Sequence, residues 1–281
     1  MEKIDVKYDC SQIYLKYYPK IAIIMLTKDR NDLVEQCINS IIDTTSYPKD
    51  SLKLYIANNG TDSEKTSQLH KLCDGLNDKL AINIKDYNYY NFAKLNNDMA
   101  FNVIDKDTEL ILFMNNDIKL LNDVITRMAK IYEDYRSVGT VGCRLHYSNG
   151  TVQHAGVLVG CRNNKYFMIH ECSKKDYGKI IHKYNANICI ANTGACLMTK
   201  KDLFTEIGGF NEEYIVCFED VEYNLNLFSK GYYNITDLTA VAYHYESLTR
   251  NKIPDRKDLM RIYSFIRGSE KIKNFINNIT L

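Results

Sequence analysis

Three short polar clusters each follow an apolar run in this chain: Thr27-Lys28-Asp29-Arg30, Asn58-Asn59-Gly60-Thr61-Asp62 and Asn115-Asn116-Asp117. Amides, acids and backbone N–H groups gathered at strand ends can hold a polar small molecule, and a carboxylate such as Asp117 can hold a divalent cation through oxygen. A second acidic group, Glu219-Asp220-Val221-Glu222, stands at the expected start of a helix. Its carboxylates could serve as a general base, or could only complement the positive end of a helix dipole. Residue type alone does not separate these readings. Two histidines draw notice, His154 in Val152-Gln153-His154-Ala155-Gly156 and His244 after the last expected strand. A lone histidine in such places is as compatible with a core position as with ligation.

The clusters matter because of the elements before them. Ile21-Ala22-Ile23-Ile24-Met25-Leu26 is a continuous, β-branched-rich run, suited to a strand buried on both faces. Leu33, Val34, Cys37, Ile38, Ile41 and Ile42 then recur at three- and four-residue spacing, which predicts a helix. Strand signals follow at Leu52–Ala57, Leu80–Ile84 and Leu110–Met114, with a helix expected from about Asn91 through Val103. Strand and helix alternate through this half, predicting an α/β fold with a doubly wound sheet and right-handed crossovers. Ligands in such sheets bind at the carboxyl ends of strands, where all three polar clusters fall. The second half reads differently. Strand-like runs at Val138–Cys143, Thr151–Val159, Tyr166–His170 and Ile188–Met198 succeed one another with little helix between them. Helices return at Lys201–Ile207 and Asp220–Ser229, a strand is expected at Thr239–Tyr243, and 257–277 reads as one amphipathic helix.

The bulk numbers exclude several classes. The chain has 281 residues, 45% of them hydrophobic and 25% charged, with Lys+Arg 36 against Asp+Glu 35 and a net charge of +1. Nothing in that balance favours nucleic acid or an anionic membrane as a partner. The 9 cysteines are scattered singly, without the paired spacing of a zinc site or a disulfide scaffold, so they read as thiols of a reducing compartment. No segment reaches the roughly 20 apolar residues needed to cross a bilayer, and the polar, tyrosine-rich beginning lacks a signal-peptide pattern. A cytoplasmic location is expected, with peripheral membrane contact left open.

The ordered motifs resemble those of inverting family 2 glycosyltransferases of GT-A fold, in their bacterial polysaccharide and rhamnosyltransferase-like branch. Asn115-Asn116-Asp117 is similar to the Asp-x-Asp motif in a form that keeps the final acid. Leu26–Arg30 and Asn58–Asp62 resemble the two nucleotide-binding strand ends. Asn91–Asn97, Gly150–Gly156, Thr193–Met198, Gly208–Glu213 and Phe218–Glu222 follow in the order of that branch, and His244–Arg250 resembles its closing His-x-Glu-Ser-x-Ser-Arg segment. Two departures stand out. Asn58 replaces the acid that normally meets the nucleotide base, and Asn115 leaves Asp117 as the only acid of its loop.

The resemblance implies a GT-A fold with a mixed central sheet, a nucleotide-sugar half at 21–117 and an acceptor half at 118–250. Residues 1–20 would be an extension and 251–281 a helical tail. It implies inverting transfer of a hexosyl or rhamnosyl group from a nucleotide diphosphate, UDP- or dTDP-linked by first expectation, to a glycan or glycoconjugate hydroxyl. A divalent cation, Mn2+ or Mg2+, would bridge the leaving diphosphate, held by Asp117 and His244. Asp220 would be the base that takes the acceptor proton. Thr27, Asp29, Arg30, Asn58, Asn97, Asn115, Asp117 and Arg250 are expected on the nucleotide side, and His154, Glu219 and Glu222 on the acceptor side. Other classes fit less well. A nucleotidyltransferase would need a glycine-rich phosphate loop where Thr27–Arg30 has none, and a dehydrogenase would need a G-x-G-x-x-G turn. A non-catalytic glycan- or nucleotide-sugar-binding module remains the competing reading, although such a module need not keep Asp117 and Asp220.

Overall fold

The computed structural model describes residues 5–162, 165–170, 185–245 and 255–278. A ten-stranded mixed sheet runs through both halves of the chain, with the path β10-β12-β6-β11-β4-β1-β2-β3. Its first part holds β1 (Ile21–Thr27), β2 (Leu52–Asn58), β3 (Ala81–Asp86) and β4 (Leu110–Met114), all parallel. The helices α1 (Asn31–Thr44), α2 (Ser63–Leu76) and α3 (Phe92–Asp98) connect them. Since β1 has β2 on one side and β4 on the other, the strand order reverses there, and a crevice opens beyond the carboxyl ends of β1 and β4.

The chain alternates its side chains across this sheet. Ile21, Ile23 and Met25 of β1 face a core shared with Val34, Cys37, Ile38 and Ile41 of α1. Ala22 and Ile24 face the opposite core, where Phe113, Phe204, Phe210 and Tyr223 pack ring against ring. Both faces are covered, which is why β1 reads as an unbroken apolar run. Side-chain caps set several helix starts. Asp62 accepts from the N–H groups of Glu64 and Lys65, and Asn91 from that of Lys94.

The second part adds β5 (Ile118–Leu120), α4 (Val124–Asp134), β6 (Val138–His146), β7 (Val152–His154), β11 (Cys196–Lys200) and β12 (Tyr233–His244). Strand β11 enters antiparallel between β4 and β6, making the sheet mixed. Two expected strands are each broken in two. The run 151–159 divides at Ala155-Gly156, where Gly156 takes φ 113, into β7 on the main sheet and β8 (Val157–Arg162). Strand β8 pairs instead with β9 (Lys165–His170). The run 188–198 divides into β10 (Ala186–Cys189) and β11 around a loop at 190–195. Helix α4, capped by Asp123, had no counterpart in the sequence reading. The tail is two helices, α7 (Arg256–Gly268) and α8 (Glu270–Asn278), parted at Ser269.

Both flanks of the chain are tied to the body. Arg127 and Arg144 are buried, and their guanidinium groups donate to backbone carbonyls of the N-terminal segment: Arg127 to Asp9 and Ser11, Arg144 to Lys7. At the other flank, Ile262, Ile266, Ile272 and Ile276 of α7 and α8 pack with Val221 and Leu225 of α6 (Glu219–Ser229) and with Val157 and Val159. Each such buried side chain contributes about 1.5–3 kcal/mol relative to exposure. Among the described residues no helix is long and apolar enough to cross a membrane. Cys10, Cys37, Cys73, Cys143, Cys189, Cys196 and Cys217 are thiols, and burial pushes that of Cys73 up to about 11.

Candidate active site

The crevice at the order reversal is closed by a side-chain bond between the two strand ends that border it. Asn116 Nδ2 donates to Thr27 Oγ1 at 2.9 Å. On the β1 side, Asp29 takes φ 53 and its carboxylate accepts from the N–H groups of Thr61 and Asp62 and from the Thr61 hydroxyl. Burial pushes this carboxyl up, but those donors outweigh it and hold it below the ordinary carboxylate range. The tether is therefore in full strength above that range and is lost as pH falls below it, through the group's lowered value. Asp29 thus ties the β1 loop to the β2 loop. Arg30 forks onto Asp32 at 2.9 and 2.8 Å, a bond that raises its pKa, with a further contribution from the charge of Asp117.

Asn58 is buried with its amide engaged on both sides. Its Nδ2 donates to Asp86 Oδ1 at 2.8 Å, and its Oδ1 accepts from Gly60 N–H at 3.0 Å. Instead of reading a base edge it holds the loop and orients Asp86, which also meets His70 at 3.1 Å. The acid missing from the end of β2 is thus present at the end of β3. Nothing in the sequence spacing pointed to Asp86. Asn97 departs from the nucleotide-side expectation as well. It donates to the Phe210 carbonyl and to Glu212, and accepts from Phe210 N–H, so it clamps the Gly209-Phe210 turn. Lys94 lies over the Tyr89 ring.

The far wall of the crevice carries the cation candidates. Asp117 is 6% exposed, and its Oδ1 has no hydrogen-bond donor among the described residues. An orphaned buried carboxylate oxygen costs about 1–3 kcal/mol, so it calls for a partner that the described residues do not provide. His244 Nε2 faces it at 3.3 Å, and Asn115 Nδ2 lies 3.5 Å from the same nitrogen. The other ring nitrogen, Nδ1, is 2.8 Å from Gln153 Oε1. With Nδ1–H donating to Gln153, Nε2 keeps its lone pair, and two acceptors then face each other across the gap. A divalent cation with mixed oxygen and imidazole ligands fits that donor set. No group of three or more His, Cys, Asp or Glu gathers among the described residues, so Asp117 and His244 would leave most of the coordination sphere to other oxygens.

Asp220 is the partly exposed acid of the α6 start. Its Oδ2 accepts from Gly194 N–H and its Oδ1 from Val221 N–H, both at 2.7 Å. Each oxygen retains a further lone pair directed away from these bonds. Gly194 stands close enough that an added Cβ would meet the Asp220 carboxylate at 3.4 Å. The next residue, Ala195, accepts from Asn115 N–H through its carbonyl, so the 190–195 loop joins the base candidate to the cation loop. A fully buried amide network fixes that loop. Asn224 Nδ2 donates to the carbonyls of Asn192 and Asp220, while Asn192 bonds Thr140, Thr236 and Ile235. Phe218, before α6, is held at φ 82, a conformation costly for a bulky residue.

Asp258 of α7 explains how that strained turn persists. It is 0% exposed and accepts from three consecutive N–H groups, those of Ile215, Val216 and Cys217. The helix assigned from sequence to a tail therefore braces the approach to Asp220. Asp258→Ala leaves three donors without an acceptor, at about 1–3 kcal/mol each. Thermal unfolding is expected to drop by at least about 6 °C. An unchanged melting temperature would contradict the bracing role.

The acceptor-side expectations are met unevenly. His154 is 1% exposed and sits opposite Leu145 in β7, a core position that an acceptor does not reach. Its neighbour Gln153 points to the site instead, because successive strand residues face opposite ways. Glu222 has both oxygens engaged within the protein, one with Asn211 and one with the Tyr214 hydroxyl, and burial together with Glu222 pushes that phenol up. It shapes the loop above the site. Glu219 is buried at the first position of α6. Arg250 lies outside the described residues.

No family model matches the chain. It is 32% identical over 240 residues to O-antigen biosynthesis protein RfbC of Myxococcus xanthus, covering 83% of this chain and 18% of that protein. It is 28% identical over 239 residues to the uncharacterized protein y4gI of Sinorhizobium fredii, covering 83% of this chain and 25% of that protein. The chain thus matches a quarter or less of the length of these curated relatives. Among solved structures, GalNAc-T7 with UDP, GalNAc and Mn2+ superposes with TM-score 0.71 at 11% identity, covering 94% of this chain and 50% of that one. The mannosyltransferase PcManGT of Pyrobaculum calidifontis, in complex with GDP-Man and Mn2+, gives 0.60 at 16% identity over 92% of this chain and 63% of that one. S. aureus TarS 1-349 in complex with UDP-GlcNAc gives 0.64 at 14% identity over 92% of this chain and 70% of that one. The architecture is that of the GT-A glycosyltransferases.

Proposed function

We propose that this chain is a glycosyltransferase that moves a sugar from a nucleoside diphosphate to an acceptor hydroxyl, with inversion and with the help of a divalent cation. The observation that carries this reading is the orphaned Asp117 oxygen facing His244 Nε2 at the strand-order reversal of a GT-A sheet, with Asp220 joined to the same loop through Gly194 and Ala195. Asp117 and His244 would hold the cation, which when bound stabilises charge growing on the leaving diphosphate. Thr27, Asp29 and the loop that Asp29 tethers shape the nucleoside end, with Asp86 as the acid closest to the place of the missing one. Asp220 takes the proton from the acceptor hydroxyl as it attacks from the face opposite the leaving group. The Gly194 N–H keeps its carboxylate aimed, so that only the lone pairs toward the crevice are available. The relative involved in O-antigen biosynthesis supports a glycan or glycoconjugate acceptor. Mn2+, GDP-Man, UDP and UDP-GlcNAc appear with the solved structures of the same fold, which supports the cofactor and the donor class.

The test is thermal stability against UDP, dTDP, GDP and CMP, each with Mn2+, Mg2+ or EDTA. A nucleotide present at about 100 times its dissociation constant adds about 2.7 kcal/mol, or roughly 5–10 °C. A shift with one nucleotide that disappears in EDTA is the expected result. Absence of a shift with every nucleotide and metal would overturn the donor-site reading.

A further inference from the structure

The geometry points to Gln153 as a positioning residue that sets the ring tautomer of His244 and so aims its Nε2 lone pair at the Asp117 carboxylate. This inference rests on the reading of His244 as a cation ligand, and it assigns a task to a residue that touches neither nucleotide nor acceptor in that reading. Gln153 sits in β7 and His244 at the end of β12, and the two strands flank β6 on either side. Both side chains are buried, so their 2.8 Å contact is shielded from exchange with water.

A neutral imidazole carries one N–H, and the hydrogen bond at one nitrogen decides the state of the other. Gln153 presents its Oε1 to Nδ1, which requires the proton to be there. Asn115 presents Nδ2 toward Nε2 at 3.5 Å, a donor turned toward a lone pair, which agrees with the same tautomer. In the neutral ring, neither contact suits the alternative in which the single proton sits on Nε2 and donates to Asp117. That alternative would satisfy the Asp117 oxygen internally and leave nothing to attract a cation. Gln153 therefore keeps the pair as two acceptors 3.3 Å apart. A hydrogen bond behind a ligating histidine commonly governs metal affinity in this way, and its loss costs about 10- to 100-fold.

Two measurements on the full chain test this. In the metal-free wild type at pH 8, 15N-resolved imidazole spectra should show His244 protonated at Nδ1 and bare at Nε2; an Nε2–H ring would overturn the inference. Mn2+ alone is then titrated, with the free-ion electron paramagnetic resonance signal as readout. Gln153→Leu should weaken Mn2+ binding about 10- to 100-fold, and Gln153→Glu, which keeps an acceptor at Nδ1, should restore it. Wild-type affinity in Gln153→Leu, with His244→Ala weakened, would overturn the role of Gln153 alone. Wild-type affinity in His244→Ala would remove the ligand reading itself, and the inference with it. The wild-type spectrum needs no variant to fold.

Discussion

Replacing Asp220 by Asn should leave nucleotide binding within about twofold of wild type while slowing transfer about a thousandfold, within the 10²–10⁴ range for loss of a positioned general base. The substitution keeps size and one acceptor oxygen, so the bond from Gly194 N–H can survive. What it removes is the capacity to take a proton from the acceptor. The Val221 N–H loses its partner if the new amide nitrogen faces it, and a small fall in melting temperature is expected from that contact. Single-turnover transfer with saturating donor separates the effects. Turnover near wild type in a variant that binds donor normally would mean that another group takes the proton.

Asp117→Ala should act at the other wall and in the opposite sense on stability. The metal-dependent part of the nucleotide-induced thermal shift should vanish, leaving the same value with Mn2+ as with EDTA. Transfer efficiency should fall by about a thousandfold or more, since cation stabilisation of the leaving diphosphate is worth several kcal/mol. The unliganded variant should melt no lower than wild type, because the substitution deletes a buried oxygen that has no donor among the described residues. A clear drop in its unliganded melting temperature would show Asp117 to be a structural acid, and the metal reading would fail with it.

The first half of the chain was legible because its signals are local. The run Ile21–Leu26, the spacing of Leu33 through Ile41 and the polar cluster after each strand all lie in one stretch of chain, and the strands begin and end close to where those patterns do. The second half depends on contacts distant in sequence. Strands β7 and β8 read as one because the apolar pattern crosses Ala155-Gly156 without interruption; only the positive φ of Gly156 shows the break. The loop 190–195 was hidden inside an apparent strand for the same reason. Side-chain direction was not legible either: His154 drew attention as a histidine, yet it is the adjacent Gln153 that meets His244, because the strand's two-residue period turns the pair opposite ways. Asn58, Asn97 and Glu222 were chosen as residue types suited to ligand contact, and each is engaged with the protein across 28, 113 or 11 residues of chain. No local pattern carries such information.

The Asp258 brace also orders events during synthesis. The loop it holds at Ile215–Cys217 lies 41–43 residues earlier in the chain. At a translation rate of about 5–20 residues per second, that loop emerges some 2–9 s before its anchor. By the time Asp258 emerges every strand of the main sheet, β12 last, has left the ribosome, so the sheet can assemble while the turn at Phe218 is still unbraced. A nascent chain would thus gain its donor-side surface first and its proton acceptor last. A chain paused in that window would be able to hold a nucleotide but unable to transfer the sugar.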